Sequence, residues 1–247
     1  MPSGYSCSTS AQSGNCGPYS TSKITDSNGY NTYVGNNCWG DPSCKQTTSA
    51  NGPDDWQTVS TEPANNGSVK TYPNVAQLTT TPGSGYQTDY ALANLTGLTS
   101  SYSETTPYGG GMIAQFAYDV WISNAVGTSN EIMLWTDNSD RDPEDAGAKY
   151  CQTATIAGQV WTLNTYNGGI CGAADGEVIF SLGARGAAAR QPSGTVDIKA
   201  MLDYLVAIGW EKSNLTIGQI DAGWEICSTG GVARTFTVTD YTLKMTP

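Results

Sequence analysis

Two glutamates stand where apolar runs leave little room for charge. Glu131 heads the run EIMLW (131–135), and Glu225 lies inside QIDAGWEICST (219–229). A carboxylate in such a run is costly unless a partner or a ligand compensates it. Two carboxyl groups flanking one bond are the equipment of glycoside hydrolysis, in which one attacks or activates water and the other donates a proton. The chain contains no histidine. Ser-His-Asp and Cys-His nucleophiles, the His-Glu-x-x-His zinc helix and imidazole acid/base catalysis are therefore excluded, and carboxylates lead the acid/base candidates.

Alternation of side chains along a strand sorts these residues onto faces. In GMIAQFAYDVWIS, Met112, Ala114, Phe116, Tyr118, Val120 and Ile122 form an apolar side, while Gln115, Asp119 and Trp121 point the other way. In EIMLW, Ile132 and Leu134 face the core, and Glu131, Met133 and Trp135 share the second face. In QIDAGWEIC, Ile220, Ala222, Trp224 and Ile226 go inward, opposite Asp221, Gly223, Glu225 and Cys227. A face that mixes acids with Met and Trp suits a sheet curved around a ligand. Two solvated strand acids are the plainer alternative. Glu177, heading the strand EVIF, is read as a surface acid.

The elements that must carry these faces are strands. Turn signals (SNGY, NNGS, PGSG, YGGG, ADGE, TGG) punctuate short alternating runs over 247 residues, the pattern of one antiparallel sandwich or barrel. One segment, TVDIKAMLDYLVAIGW, has a helical stripe at Ile198, Met201, Leu202, Leu205 and Val206. Thr195 is expected to cap it, Asp197 to complement its first turn and Gly209 to form its left-handed exit. Residues 1–15 are expected to be irregular, and 16–247 to form a single domain.

Eleven Lys and Arg against 22 Asp and Glu give a net charge of −11, which disfavours nucleic acid and anionic membranes as partners. Only 13% of residues are charged, and seven Trp and 14 Tyr offer rings that can stack on sugars. No apolar run approaches the roughly 20 residues that span a bilayer. The opening MPSGYSC has no secretory leader, so a secreted protein is expected here in mature form behind a start Met. Seven cysteines without a paired C-x-x-C zinc pattern point to disulfides in an oxidising compartment, with Cys227 as the unpaired thiol and the protein a monomer. In DNSDRDPEDAG (137–147) the alternating acids are read as a solvated loop, with calcium as the alternative.

NNCWG (36–40), DDWQ (54–57), VKTYPN (69–74), AYDVW (117–121), EIMLW (131–135) and GWE (223–225) occur in the order expected of glycoside hydrolase family 12, which the chain resembles from Cys16 to its end. The resemblance implies an all-β jelly roll of two curved antiparallel sheets with one α-helix on the convex side. It implies retaining endo-hydrolysis of β-1,4-glucans without metal or cofactor. By the same resemblance Glu131 matches the nucleophile, Glu225 the general acid/base and Asp119 the carboxylate supporting the nucleophile. Trp39 matches a sugar-stacking ring with Asn37 as its hydrogen-bonding neighbour, Met133 and Trp135 match the cleft floor, and Pro143 falls in a loop crossing one cleft end. Cys16 and Cys44 match the family's N-terminal disulfide, leaving Cys7 with Cys38; Cys151 and Cys171, outside the common set, would brace the loop between them. GWEICST also departs from the Gly-Thr-Glu or Gly-Phe-Glu pattern usual there. Xyloglucan-specific hydrolysis, xylan hydrolysis and a non-catalytic carbohydrate-binding sandwich are the competing expectations.

Overall fold

In the computed structural model the described residues are 5–8, 21–25, 31–40, 44–64, 67–78, 90–123, 131–139, 141–166, 171–172, 177–187 and 189–247, with backbone alone for 5–8, 21–25 and 31. Sixteen strands and one helix follow in chain order among them. They are β1 (Tyr5–Ser8), β2 (Thr21–Thr25), β3 (Asn31–Gly35), β4 (Lys45–Gly52), β5 (Asp55–Thr61), β6 (Asn74–Leu78), β7 (Tyr90–Ala91), β8 (Gly97–Thr105), β9 (Met112–Ser123), β10 (Glu131–Asn138), β11 (Lys149–Ile156), β12 (Gln159–Thr165), β13 (Val178–Leu182), β14 (Ser193–Asp197), α1 (Ile198–Ala207), β15 (Thr216–Thr229) and β16 (Arg234–Thr246). One sheet runs β1-β4-β5-β16-β8-β14; the other runs β11-β12-β13-β10-β9-β15-β6-β3-β2, with β7 added beside β15. The expected two-sheet, one-helix architecture is present. Tyr5–Ser8, expected to be irregular, instead pairs with β4 as an edge strand.

One pairing departs from the antiparallel expectation. The β11–β12 hairpin returns the chain so that β13 lies antiparallel to β12 but parallel to β10, with Ile132 level with Val178 and Leu134 with Phe180.

The apolar faces close on one another as alternation requires. Met112, Ala114, Phe116, Tyr118, Val120 and Ile122 of β9 are all buried, as are Ile132 and Leu134 of β10 and Ile220, Ala222, Trp224 and Ile226 of β15. Trp224 is the aromatic centre. Its ring lies 5.2 Å from Trp56 of β5, 5.5 Å from Phe236 of β16 and 5.1 Å from Phe116 of β9, so it ties both sheets together. A buried Trp removes roughly 150–250 Å² from water, worth about 4–6 kcal/mol at ~25 cal/mol per Å².

The helix begins two residues later than the sequence suggests. Thr195 is spent in β14, pairing with Ser101, and Asp197 is the cap, its carboxylate accepting from the Ala200 N–H at 2.9 Å. Ile198, Met201, Leu202 and Leu205 are buried, and Gly209 takes the left-handed exit at φ 78°.

Between the sheets lies a polar chain. Trp224 Nε1 donates to Thr106 Oγ1 at 2.9 Å, and that hydroxyl donates to Glu104 Oε2 at 2.8 Å. Glu104 also lies against Asp137, which accepts from the Tyr108 hydroxyl. Burial, then the Asp137 contact, pushes Glu104 up to about 9 from the ordinary 4.5. The native state therefore binds a proton that the unfolded chain has released between those values. Its contribution to stability is full below the unfolded pKa and is lost as pH rises towards about 9. Glu104→Gln should melt higher than wild type near pH 8 and no higher near pH 4. Parallel wild-type and variant melting curves across that range would contradict this.

Candidate active site

The second faces of the central strands meet at a groove of about 840 Å³ on the outer side of the larger sheet. Its walls come from successive strands: Gly35 (β3), Asn74 and Ala76 (β6), Asp221 and Glu225 (β15), Asp119 and Trp121 (β9), Glu131 and Met133 (β10), and Glu177 just before β13. A further lobe of about 300 Å³ continues from it, sharing Trp39, Met133, Glu177 and Glu225 and adding Gln115, Arg141 and Tyr166. Glu131, Glu225 and Asp119 are thus in one site.

Their convergence needs explaining. Glu131 pairs with Trp121 of β9, whereas Glu225 pairs with Gln115, six positions away on the same strand. On a flat strand that is about 20 Å. Yet both side chains line the same groove. The sheet must therefore curl so that its outer face closes inward. Register shifts at Trp135/Asp137 in β10 and at Ile217/Gln219 and Ile226/Ser228 in β15 mark where the strands bend. Gly223, between Asp221 and Glu225 on that face, lets the neighbouring backbone in: a Cβ there would lie 2.0 Å from the Pro73 carbonyl oxygen.

Five carboxyl groups line the groove, and no lysine or arginine does so among the described residues. Every one of the five is raised. Burial, followed by the Glu225 charge, lifts Glu131 to about 7, against a hydrogen bond from Asp119 that favours its ionised form. Burial lifts Glu225 to about 7, opposed by the Gln115 amide, which donates to its Oε2, and by the Arg141 charge. Asp119 is held well above the usual range by burial and then by Glu131, Glu225, Asp221 and Glu177, so it keeps its proton and can donate it towards Glu131. Burial and the two catalytic candidates lift Glu177 to about 8. Asp221 is lifted to about 7 by burial, although Gln219 Nε2 at 2.6 Å and Trp121 Nε1 at 3.3 Å donate to its Oδ2.

Glu177 corrects the expectation of a surface acid. Val178 and Ile132 are level in the parallel β13–β10 pair, so the residues preceding them, Glu177 and Glu131, stand side by side on the groove face. Gln115, Asp221 and Trp121 had the right strand face in the sequence but were not chosen; Tyr72 and Arg141 lie in the quoted segments VKTYPN and DNSDRDPEDAG but were not singled out there.

Other expected residues divide. Trp39 is 51% exposed over both lobes, available to stack on a ring. Asn37 lines the groove with φ 38°, a left-handed conformation that Asn tolerates, while its carbonyl accepts from the Tyr72 N–H at 2.9 Å. Met133 is on the floor as expected. Trp135 is not: it is buried below the surface with Ala117, Met133, Ala148 and Ile179. Pro143 is buried in a short 3-10 helix (Pro143–Ala146) beside a separate small crevice, and the same loop reaches the groove through Arg141 and Ala146 instead.

The loop's acids do not act as a set. Asp137 is buried at the end of β10, Asp142 and Asp145 form a reciprocal helix cap, and Glu144 pairs with Arg185 at 2.7 Å; among the described residues no carboxyl cluster is arranged to hold a metal.

Cysteine pairing is also corrected. Cys38 bonds Cys44, six residues on in the β3–β4 connection with Cα atoms 6.1 Å apart. This excludes both the Cys16–Cys44 and Cys7–Cys38 pairs; the side chains of Cys7 and Cys16 lie outside the described residues. Cys151 bonds Cys171 as expected, and Cys227 is free and buried.

No family model and no curated protein matches the chain. Solved structures do. The native family 12 xyloglucanase from Bacillus licheniformis aligns at TM-score 0.72 and 22% identity over 98% of this chain and 100% of its own. The xyloglucanase domain of NopAA, a type three effector from Sinorhizobium fredii solved with cellobiose, aligns at 0.72 and 24% identity over 99% and 100%. Trichoderma harzianum endoglucanase 3, from family GH12, aligns at 0.70 and 22% identity over 93% and 96%. The fold is the jelly roll of family 12 glycoside hydrolases.

If the Gln115 amide stabilises the ionised Glu225, Gln115→Leu should move the Glu225 titration upward, with a smaller change at Glu131. Carboxyl-carbon NMR titration reads both. A downward or absent shift at Glu225 would contradict the assigned contact.

Proposed function

We propose that this chain is a secreted member of glycoside hydrolase family 12 that cleaves β-1,4-linked glucans internally with retention of configuration. The observation that carries the proposal is the meeting of Glu131 and Glu225 in one groove beneath the exposed Trp39. An open groove suits a polymer threading through, and Trp39 offers a face for a glucosyl ring. Two disulfides support an oxidising, extracellular setting.

In the first step Glu131, as carboxylate, attacks the anomeric carbon while Glu225 protonates the departing oxygen. In the second, Glu225 takes a proton from water, and the hydroxide so generated releases the sugar from Glu131. Both glutamates stand at about 7, so near neutrality the pair holds roughly one proton between them. Asp119, donating to Glu131, favours the arrangement in which Glu131 is the ionised member and Glu225 the acid. The Gln115 amide and the Arg141 charge act the other way at Glu225, so Asp119 is the contact on which this proton order rests.

Reducing-sugar release from carboxymethylcellulose, mixed-linkage β-glucan, xyloglucan and xylan identifies the substrate. Glu225→Gln should lower turnover about 10²–10⁴-fold on glucans with natural leaving groups. Glu131→Gln should abolish it while leaving oligosaccharide binding in place. Binding without turnover in the wild type would instead indicate a carbohydrate-binding sandwich, and wild-type activity in Glu131→Gln would remove Glu131 from the mechanism.

A further inference from the structure

A two-step glycosidase needs two carboxyl groups and, here, a third to orient one of them. The groove has five, and the two left over are differently placed. Glu177 is only partly buried, stands beside Glu131 by the parallel register, borders both lobes, and has no hydrogen bond to its carboxyl group among the described residues. Asp221 is 4% exposed and directly opposite Asp119 across the β9–β15 pair; its Oδ2 has two donors, but its Oδ1 has none. Asp119 Oδ1 is likewise buried without a partner. The buried oxygens of Asp221 and Asp119 lie behind the groove surface, and the partly exposed Glu177 carboxyl is the partnerless group that an entering donor can reach, in a wall with no cationic side chain among the described residues.

The nature of that donor follows from the charge. Hydroxyl groups could satisfy single lone pairs, but only a cation would also favour the ionised forms of these crowded carboxyl groups. A metal ion would need several carboxylates converging on one point, and among the described residues no such grouping exists. Isolated positive charges spaced along a polymer meet both conditions. Resting on the reading of this groove as a glycosidase cleft, we propose that it accepts β-1,4-linked glycans bearing protonated amino groups, glucosamine polymers in chemical terms, with Glu177 receiving the ammonium and Asp221 supplying charge behind it.

Raised carboxyl pKa values give the proposal a second signature. Glu177 and Asp221, at about 8 and about 7, hold protons in the empty groove near neutrality. An arriving ammonium favours their ionised forms, so amino-glycan binding should release protons while neutral glycan binding should not.

The test uses calorimetry of glucosamine and glucose oligomers of equal length on the Glu131→Gln protein, alone and combined with Glu177→Gln or Asp221→Asn, in two buffers of different ionisation enthalpy and at low and high salt. Hydrolysis of soluble glucosamine polymer and mixed-linkage β-glucan by wild type runs alongside. The expected result is at least about tenfold tighter binding of the amino oligomer, with salt-sensitive affinity and proton release. Glu177→Gln should bring the two affinities to within about threefold of each other, equivalent to roughly 0.7 kcal/mol. Equal affinities in the parent protein, or a preference insensitive to both salt and Glu177→Gln, would overturn the proposal, and cleavage of the glucan would then leave the glycosidase reading intact. Amino-glycan preference with neither polymer cleaved would support this proposal and overturn that reading. Binding of neither oligomer would overturn both.

Discussion

The Trp224 indole is gripped by Trp56 and Phe236 from one sheet and by Phe116 from its own. The next residue along β15 is Glu225, which alternation sends to the opposite face. Fixing the tryptophan therefore fixes the position from which the carboxylate projects. Its indole N–H is anchored too, through Thr106 to Glu104. A candidate acid on a strand so tied has little freedom to wander, which is what preorganised chemistry requires. Much of the remaining structure serves to bring other groups to it: β9 lies beside β15 and carries Asp119 and Gln115, and β10 lies beside β9 and carries Glu131.

The cost of this arrangement is electrostatic. Five carboxyl groups share one groove with no basic side chain among its described walls, and the nearest guanidinium, Arg141, stands in the adjoining lobe. Burial raises all five, and repulsion adds to it at Glu131, Asp119 and Glu177, so the groove stays protonated to unusually high pH. Asp119 shows how the fold uses this. Surrounded by four other acids, it retains its proton and becomes a hydrogen-bond donor for Glu131. The same surplus makes an incoming positive charge welcome.

Period-two alternation in the sequence was enough to place the core faces of β9, β10 and β15 and to put Glu131, Asp119 and Glu225 on the other side. The helical stripe was equally legible, because Ile198, Met201, Leu202 and Leu205 must all face inward. What alternation lacks is information about which strands are neighbours. Glu177 was read as a surface acid because nothing in EVIF reveals that its strand runs parallel to β10 and brings it beside Glu131. Trp135 shares a face with Glu131, yet Ala148 from the following loop covers it. Thr195 lost the capping role to Asp197 because β14 extends to the start of the helix. The pairing of Cys38 with Cys44 was a matter of loop geometry, which cysteine spacing leaves open among several connectivities.

The central claim is that Glu131 is the residue to which a sugar becomes bonded. A glucosyl inactivator carrying fluorine at C2 and a good leaving group slows release of the glycosyl-enzyme and allows it to be trapped. Peptide mass spectrometry of the inactivated protein should find one sugar per chain, on the peptide containing EIMLW, with fragmentation placing it on Glu131. A label on Glu177, Asp119 or Glu225, or time-dependent inactivation with no covalent adduct, would contradict the account.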